Sequence, residues 1–304
     1  MSRPEGDSRK VIVFALLANL GIACSKFVGA YVSRSSAMLS EAIHSLVDTT
    51  NQVLLLVGSK RASRPPTGKH PLGYGAESFF WSFMVAILLF SLGGMVAIYE
   101  GIHKFHSTEP LQNPWVSLAI LIVSLVLEAL SFRTCLHEIR ASNPHGTLWR
   151  WFKKTTSAEL LVVFTEDLAA LLGLLIATGS LLLSWMTGDP RWDAVGSILV
   201  GFVLVSVAIL LSVEIRSLMI GESPSVDYQP YIEERVRELF PGGRVLRFIA
   251  LSQGGDRVLL SYKIHPGSVE GVKELIARIN TLETEARKRY PEISWQFVEP
   301  DFEA

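Results

Sequence analysis

The chain has 304 residues, 49% of them hydrophobic and 19% charged, with a net charge of −1. That near-neutral balance gives no footing for nucleic-acid binding. Its two cysteines, Cys24 and Cys135, each in or at the end of a different apolar stretch, support neither a disulfide framework nor a CxxC metal motif.

The apolar residues are concentrated in six blocks before about residue 215, and the chain beyond is charged and alternating. The blocks read as spans over roughly 11–31, 36–58, 78–100, 114–134, 158–185 and 191–214. Each is near or above the ~20 residues a helix needs to cross the hydrocarbon of a bilayer. The basic start, MSRPEGDSRK, precedes a first span without a small-residue cleavage site, so that span is expected to be a retained helix. Arg3, Arg9 and Lys10 precede the first span. Lys60, Arg61, Arg64 and Lys69 follow the second, and Arg140, Arg150, Lys153 and Lys154 follow the fourth. The opposite loops hold only Arg34, Lys104 and Arg191. This bias predicts cytoplasmic termini, with Trp115, Trp185 and Trp192 anchoring the far interface.

After the sixth span, IGESPSVD is a polar connector. YIEERVREL has helical spacing, VLRFIALSQ and RVLLSYKIH read as strands, and Gly254, Gly255 and Asp256 supply a hairpin turn. A long amphipathic helix, SVEGVKELIARINTLETEARKRY, and a last strand, ISWQFVE, complete the order α-β-β-α-β. That order suits a small two-layer α+β domain of ferredoxin-like type, with helices on one face. The division predicted is a transmembrane domain over 1–218 and a soluble α+β domain over 222–304.

The second and fifth spans carry groups that hydrocarbon tolerates badly. Glu41, His44, Asp48 and Asn51 fall within an arc of roughly 80° on one helix, a polar stripe that must face other helices or water. Glu166 and Asp167 lie in the fifth span. A mid-membrane carboxylate costs roughly 2.5–3.5 kcal/mol on insertion scales, so such residues mark pathways or bound ions. Imidazole with carboxylates from two helices is a ligand set for a divalent transition metal. A hydrogen-bonded packing network is the plainer reading of the stripe, but several like charges buried together call for a cation. Lys26 and Glu128, within the first and fourth spans, are candidates to pair with each other. Asp193, opening the sixth, reads as a cap or packing residue.

On HxxxD at His44 and Asp48, SSAMLSEAIHSLVD, KHPLGYGAESFFW and DAVGSILVG, nearly the whole chain resembles the cation diffusion facilitator family. The resemblance implies six membrane helices with a cytoplasmic α+β domain, a homodimer, and one transport site at His44, Asp48 and Asp167. It implies export of Zn2+ or a related ion from the cytoplasm in exchange for protons, no enzymatic activity, and no cofactor beyond the transported ion. The alternatives are an Mn2+, Fe2+ or Co2+ exporter of the same family, or a non-transporting partner. The short loops suit a bacterial inner membrane.

One position departs from the family pattern. Four residues before Asp167, where His or Asp is usual, stands Val163. Glu166 beside Asp167 is read as the fourth ligand, with a proton carrier as the other reading, and this looks like the family's Glu-Asp branch. Oxygen in place of nitrogen favours harder ions such as manganese or iron(II). Elsewhere His70 faces Tyr74 rather than a second His. His103 and His106 are expected to face solvent, and the 135–157 loop holds only His137 and His145. The tail has His265, with Phe297 at a position where a ligand is often found, and Glu299 and Asp301 read as solvated. The soluble domain is therefore expected to bind little metal.

Overall fold

A computed structural model describes residues 20–106, 113–142, 147–254 and 257–303. Arg3, Arg9, Lys10, the start of the first predicted span, His145, and Gly255 and Asp256 of the predicted turn lie outside the described residues. The helices are α1 (Leu20–Ser33), α2 (Ser36–Ala62), α3 (Glu77–Phe105), α4 (Pro114–Ser142), α5 (Leu148–Lys154), α6 (Ala158–Thr187), α7 (Arg191–Ile220), α8 (Gln229–Leu239) and α9 (Val272–Arg289). The strands are β1 (Arg244–Gly254), β2 (Arg257–His265) and β3 (Ile293–Pro300). The chain divides into two compact units. One comprises Met1–Val57, Trp81–Thr147 and Glu159–Ile215, and the other Gly58–Phe80, Leu148–Ala158 and Arg216–Ala304.

Among the described residues, four helices (α3, α4, α6 and α7) are long and apolar enough to cross a membrane. With 27 residues α2 is equally long, and its polar stripe keeps it out of that set. Of these four, α6 is the most buried: 56% of its most apolar window is buried, against 39%, 17% and 44% for α3, α4 and α7. Its Leu174, Ala177 and Leu181 pack with Ala30 of α1, Ala37 and Met38 of α2 and Leu121 of α4. Its Ala169 packs with Leu89 of α3 and Val200, Leu204 and Ala208 of α7.

Helices α3 and α7 approach closely. A Cβ at Gly201 would stand 2.8 Å from the Gly94 carbonyl and 2.9 Å from the Ile98 nitrogen, and one at Gly94 would stand 3.1 Å from the Val205 nitrogen. Small residues that let two backbones touch replace the hydrophobic effect as the packing force between helices in lipid. The same stretch of α3, Leu89–Met95, winds as a π-helix, a local irregularity common at functional positions.

In the second unit β1 pairs antiparallel with β2, and β2 pairs parallel with β3, in the order β1-β2-β3. Strand β2 alternates, with Val258, Leu260, Tyr262 and Ile264 buried. These side chains form one core with Ile232 and Val236 of α8 and Leu282 and Ala286 of α9, so both helices cover one sheet face. The order α-β-β-α-β read from the sequence is the order observed. The loop between α2 and α3 docks on β3 and on the end of β1. Trp295 Nε1 donates to the Leu72 carbonyl (3.3 Å), and a Cβ at Gly75 would stand 2.7 Å from the Gly254 carbonyl oxygen. That contact gives the second glycine of the KHPLGYG stretch, Gly75, a structural reason.

Burial lifts the phenol of Tyr228 above its usual value of about 10, and the hydrogen bond it gives to Glu292 (3.1 Å) lifts it further. Burial does the same for Tyr262, which receives a hydrogen bond from Gln296 Nε2 (2.5 Å). The folded state therefore holds these protons after the unfolded chain has lost them. Their contribution is present in full below pH about 10, and stability falls as pH rises beyond that. An ultraviolet titration of the whole protein in detergent should show at least two of its seven tyrosines ionising only as the fold is lost. Seven tyrosines titrating together near pH 10 with the fold intact would contradict this.

Candidate metal site

Helix α2 starts sharply. Arg34 adopts a left-handed φ of 53°, and Ser35 Oγ accepts the Met38 N–H at 3.0 Å as an N-cap. The remaining free N–H groups of the first turn are met from another helix. Asp193, in the first turn of α7, accepts the Ser36 N–H at 2.6 Å, the Ser36 hydroxyl at 2.9 Å and, at 3.5 Å, the Ala37 N–H. Its second oxygen accepts the Ser35 hydroxyl at 2.5 Å. A carboxylate at this point also complements the positive end of the helix dipole. Asp193 thus caps α2 rather than its own helix. One turn further on, the Ser40 and Ser197 hydroxyls meet, and Ser197 donates to the Ala97 carbonyl of α3 (2.8 Å).

From this anchored end α2 carries Glu41, His44, Asp48 and Asn51 into the bundle. The first two and the last are 0% exposed, and Asp48 is 8%. His44 Nδ1 and Asp48 Oδ1 stand 3.2 Å apart, one turn from each other. Among the described residues no hydrogen bond reaches either ring nitrogen of His44, nor Asp48 Oδ1, Glu41 Oε1 or Asn51 Oδ1. Such a run of unsatisfied buried acceptors and imidazole nitrogens on one helix face has the chemistry of a cation pathway.

The adjacent carboxylates of α6 diverge, because successive residues project about 100° apart on a helix. Glu166 is the one that faces α2. It accepts from Asn51 Nδ2 at 3.1 Å, and its carboxyl group interacts with that of Asp48. Asp167 turns to α4, accepting from Ser131 Oγ at 3.3 Å. So His44, Asp48 and Glu166 form a row, with Asp167 directed to its side. Among the described residues no group of three or more His, Cys, Asp or Glu side chains closes at metal-binding separation. Val163 is half-buried on the same helix.

Lys26 differs from its expected pairing. Its Nζ donates to Ser45 Oγ (2.7 Å) and forms an ion pair with Glu41 Oε2 (3.3 Å), rather than with Glu128, although its charge acts on Glu128 as well. The signal was available, since Glu41 lies on the polar stripe and an intramembrane lysine seeks the nearest carboxylate. Ser131 carried no such signal, being one serine among many.

The other candidates are engaged locally. His70 packs against Tyr74 with its ring tilted and the centroids 4.6 Å apart, His106 Nδ1 meets the Ile102 carbonyl at 3.0 Å, and His103 stacks on Tyr99. His265 Nδ1 accepts the Gly267 N–H at 3.0 Å. Asp301 and Glu299 are not simply solvated, since both pair with Lys263, at 2.7 and 3.4 Å. The hydrogen bond from Lys263 holds the Asp301 carboxyl below the usual range.

Residues 12–220 match the model of the cation efflux transmembrane domain. Among curated proteins, the chain is 33% identical to "Metal tolerance protein C4" of Arabidopsis thaliana over 72% of its own length and 48% of that protein's. It is 31% identical to the "Proton-coupled zinc antiporter SLC30A9, mitochondrial" of Xenopus laevis, over 81% of this chain and 43% of the relative. It is 26% identical to "Zinc transporter ZitB" of Escherichia coli, over 86% and 78% respectively. The chain thus spans somewhat less than half the length of the first two relatives.

The cap on α2 gives the first test of this geometry. Asp193→Ala leaves buried donors without an acceptor and should cost about 1.5–3 kcal/mol, read as a lower thermal midpoint in detergent, with Asp193→Asn intermediate. An unchanged midpoint in Asp193→Ala would contradict the cap.

Proposed function

The chain belongs to the cation efflux family, and on that premise we propose that it exports a divalent metal ion, zinc first, from the cytoplasm in exchange for protons. The observation that carries the reading is the row of buried, unsatisfied atoms on Glu41, His44, Asp48 and Asn51, set against Glu166. The proposed ligands are His44, Asp48, Glu166 and Asp167. Relatives named as zinc transporters, one of them as proton-coupled, support the ion and its coupling. These relatives are transporters and not enzymes.

Metal binding needs neutral imidazole and ionised carboxylates, so metal and protons compete for the same atoms. A site that opens alternately to each side then exchanges one for the other with no separate coupling device. Asp48 and Glu166 suit this exchange, because their interacting carboxyl groups can share a proton that an arriving cation displaces. The donor set has one nitrogen and up to six carboxylate oxygens, so a manganese or iron(II) exporter is the second reading.

The wider architecture follows from the same premise. Helices α1 and α2 join the four apolar helices as six spans in a transport domain over 1–218. Residues 222–304 form a cytoplasmic ferredoxin-like domain that dimerises or regulates, and the transporter is a homodimer. A bacterial inner membrane with both termini cytoplasmic fits the basic loops. A mitochondrial membrane, named for one relative, offers the same proton gradient.

Flux into proteoliposomes with an internal pH dye tests the function across zinc, manganese, iron(II) and cobalt. His44→Ala and Asp48→Ala should each abolish uptake and the paired proton movement while the protein stays inserted. Near-normal flux in either variant would overturn the site. Glu166→Gln keeps size and loses charge, and should weaken zinc binding at least tenfold if Glu166 is a ligand. Binding preserved at high pH with slowed proton-coupled turnover would make it the proton carrier instead, and unchanged binding and coupling would remove it from the site.

A further inference from the structure

Lys26 is completely buried, on α1, in a bundle that, among the described residues, also buries the carboxyl groups of Glu41, Asp48, Glu166 and Asp193, with Glu128 and Asp167 half-buried. Two contacts fix its ammonium group, the Ser45 hydroxyl at 2.7 Å and Glu41 Oε2 at 3.3 Å. Ser45 directly follows His44 in sequence and Glu41 precedes it by three, so the lysine sits beside the proposed ligands without being one of them. The charged and titratable groups that feel it are Glu41, His44 and Asp48 of α2 and Glu128 of α4.

A buried ion pair is a poor means of stabilising a bundle, since apolar residues of similar volume often do as well or better. A transport site has a different requirement. It must attract its ion strongly enough to load and hold it weakly enough to release. Several carboxylates in a low-dielectric interior err towards holding a divalent cation too tightly.

We propose that Lys26 is a fixed cation, held by Glu41 and Ser45, that competes with the transported metal for the negative potential of the site and so speeds its release. The inference rests on the transport-site reading given above. It makes a prediction of sign that a purely structural pair does not. Lys26→Met removes the competing charge. Glu41 is then left as an unneutralised carboxylate beside the site and attracts the metal further. Glu41→Gln leaves the ammonium without its partner and weakens binding. The double variant removes both charges and lies near wild type.

The test is zinc titration of the full-length protein in detergent at one pH, with zinc flux in proteoliposomes alongside. Lys26→Met should bind zinc about tenfold more tightly or better, with lower KM and lower maximal flux. Glu41→Gln should bind it about tenfold more weakly, and Lys26→Met/Glu41→Gln should recover to within a few-fold of wild type. Weakening in both single variants, or no change in either, would overturn the proposal. If Lys26→Met does not assemble, the comparison of Glu41→Gln with the double variant decides, and failure of the second change to restore affinity counts against it. Wild-type zinc binding that is absent or insensitive to Asp48→Ala would overturn the transport-site reading itself, a result distinct from a failure of the Lys26 variants alone.

Discussion

A carboxylate taken out of water costs several kcal/mol unless a cation, a proton or hydrogen-bond donors replace its lost hydration. Helix α2 takes two of them, Glu41 and Asp48, into the bundle together with His44 and Asn51. The surrounding structure answers each of these groups in part. Lys26 meets one oxygen of Glu41, Asn51 meets Glu166, and Asp48 sits between His44 and Glu166. What is left over, among the described residues, is a set of acceptors and imidazole nitrogens without a hydrogen bond, the remainder that the proposed metal ion would satisfy.

For that row to have a defined geometry, α2 has to be held at its end and along its length. The end is held by Asp193, whose carboxylate closes the first turn of α2 from the first turn of α7. Along its length α2 lies against α6, which packs with α1, α2 and α4 on one side and with α3 and α7 on the other. The π-helical turn of α3 lies beside the glycine crossing with α7. There the two helices touch through backbone, in place of interlocked large side chains.

The parts of this that a sequence can carry are those set by periodicity and by single-residue chemistry. Alternation in RVLLSYKIH and helical spacing in YIEERVREL placed the strands and helices of the soluble domain in their observed order. The spacing of Glu41, His44, Asp48 and Asn51 placed the polar stripe, and the hydrophobic blocks placed the apolar helices. Pairings between helices were legible only in part, because they depend on which faces meet. Lys26 reads with Glu128 although Glu41 stands on the polar stripe, and the bundle pairs it with Glu41. Of the two adjacent acids on α6, helix rotation alone decides that Glu166 faces α2 and Asp167 faces Ser131. Asp193 reads from the sequence as a cap or packing residue, and nothing local says that the helix it closes is α2. Gly75 in KHPLGYG needed the end of β1 in view before its purpose was plain.

The central claim is that a metal ion completes the partial hydrogen bonding of α2 with one imidazole and several carboxylates. X-ray absorption at the zinc edge of the loaded full-length protein tests it most directly. The expected spectrum shows one nitrogen and otherwise oxygen at about 2.0–2.2 Å around the zinc, with a single imidazole scattering pattern that vanishes in His44→Ala. A shell containing sulfur, or two or more imidazoles, or one unchanged by His44→Ala, would contradict it.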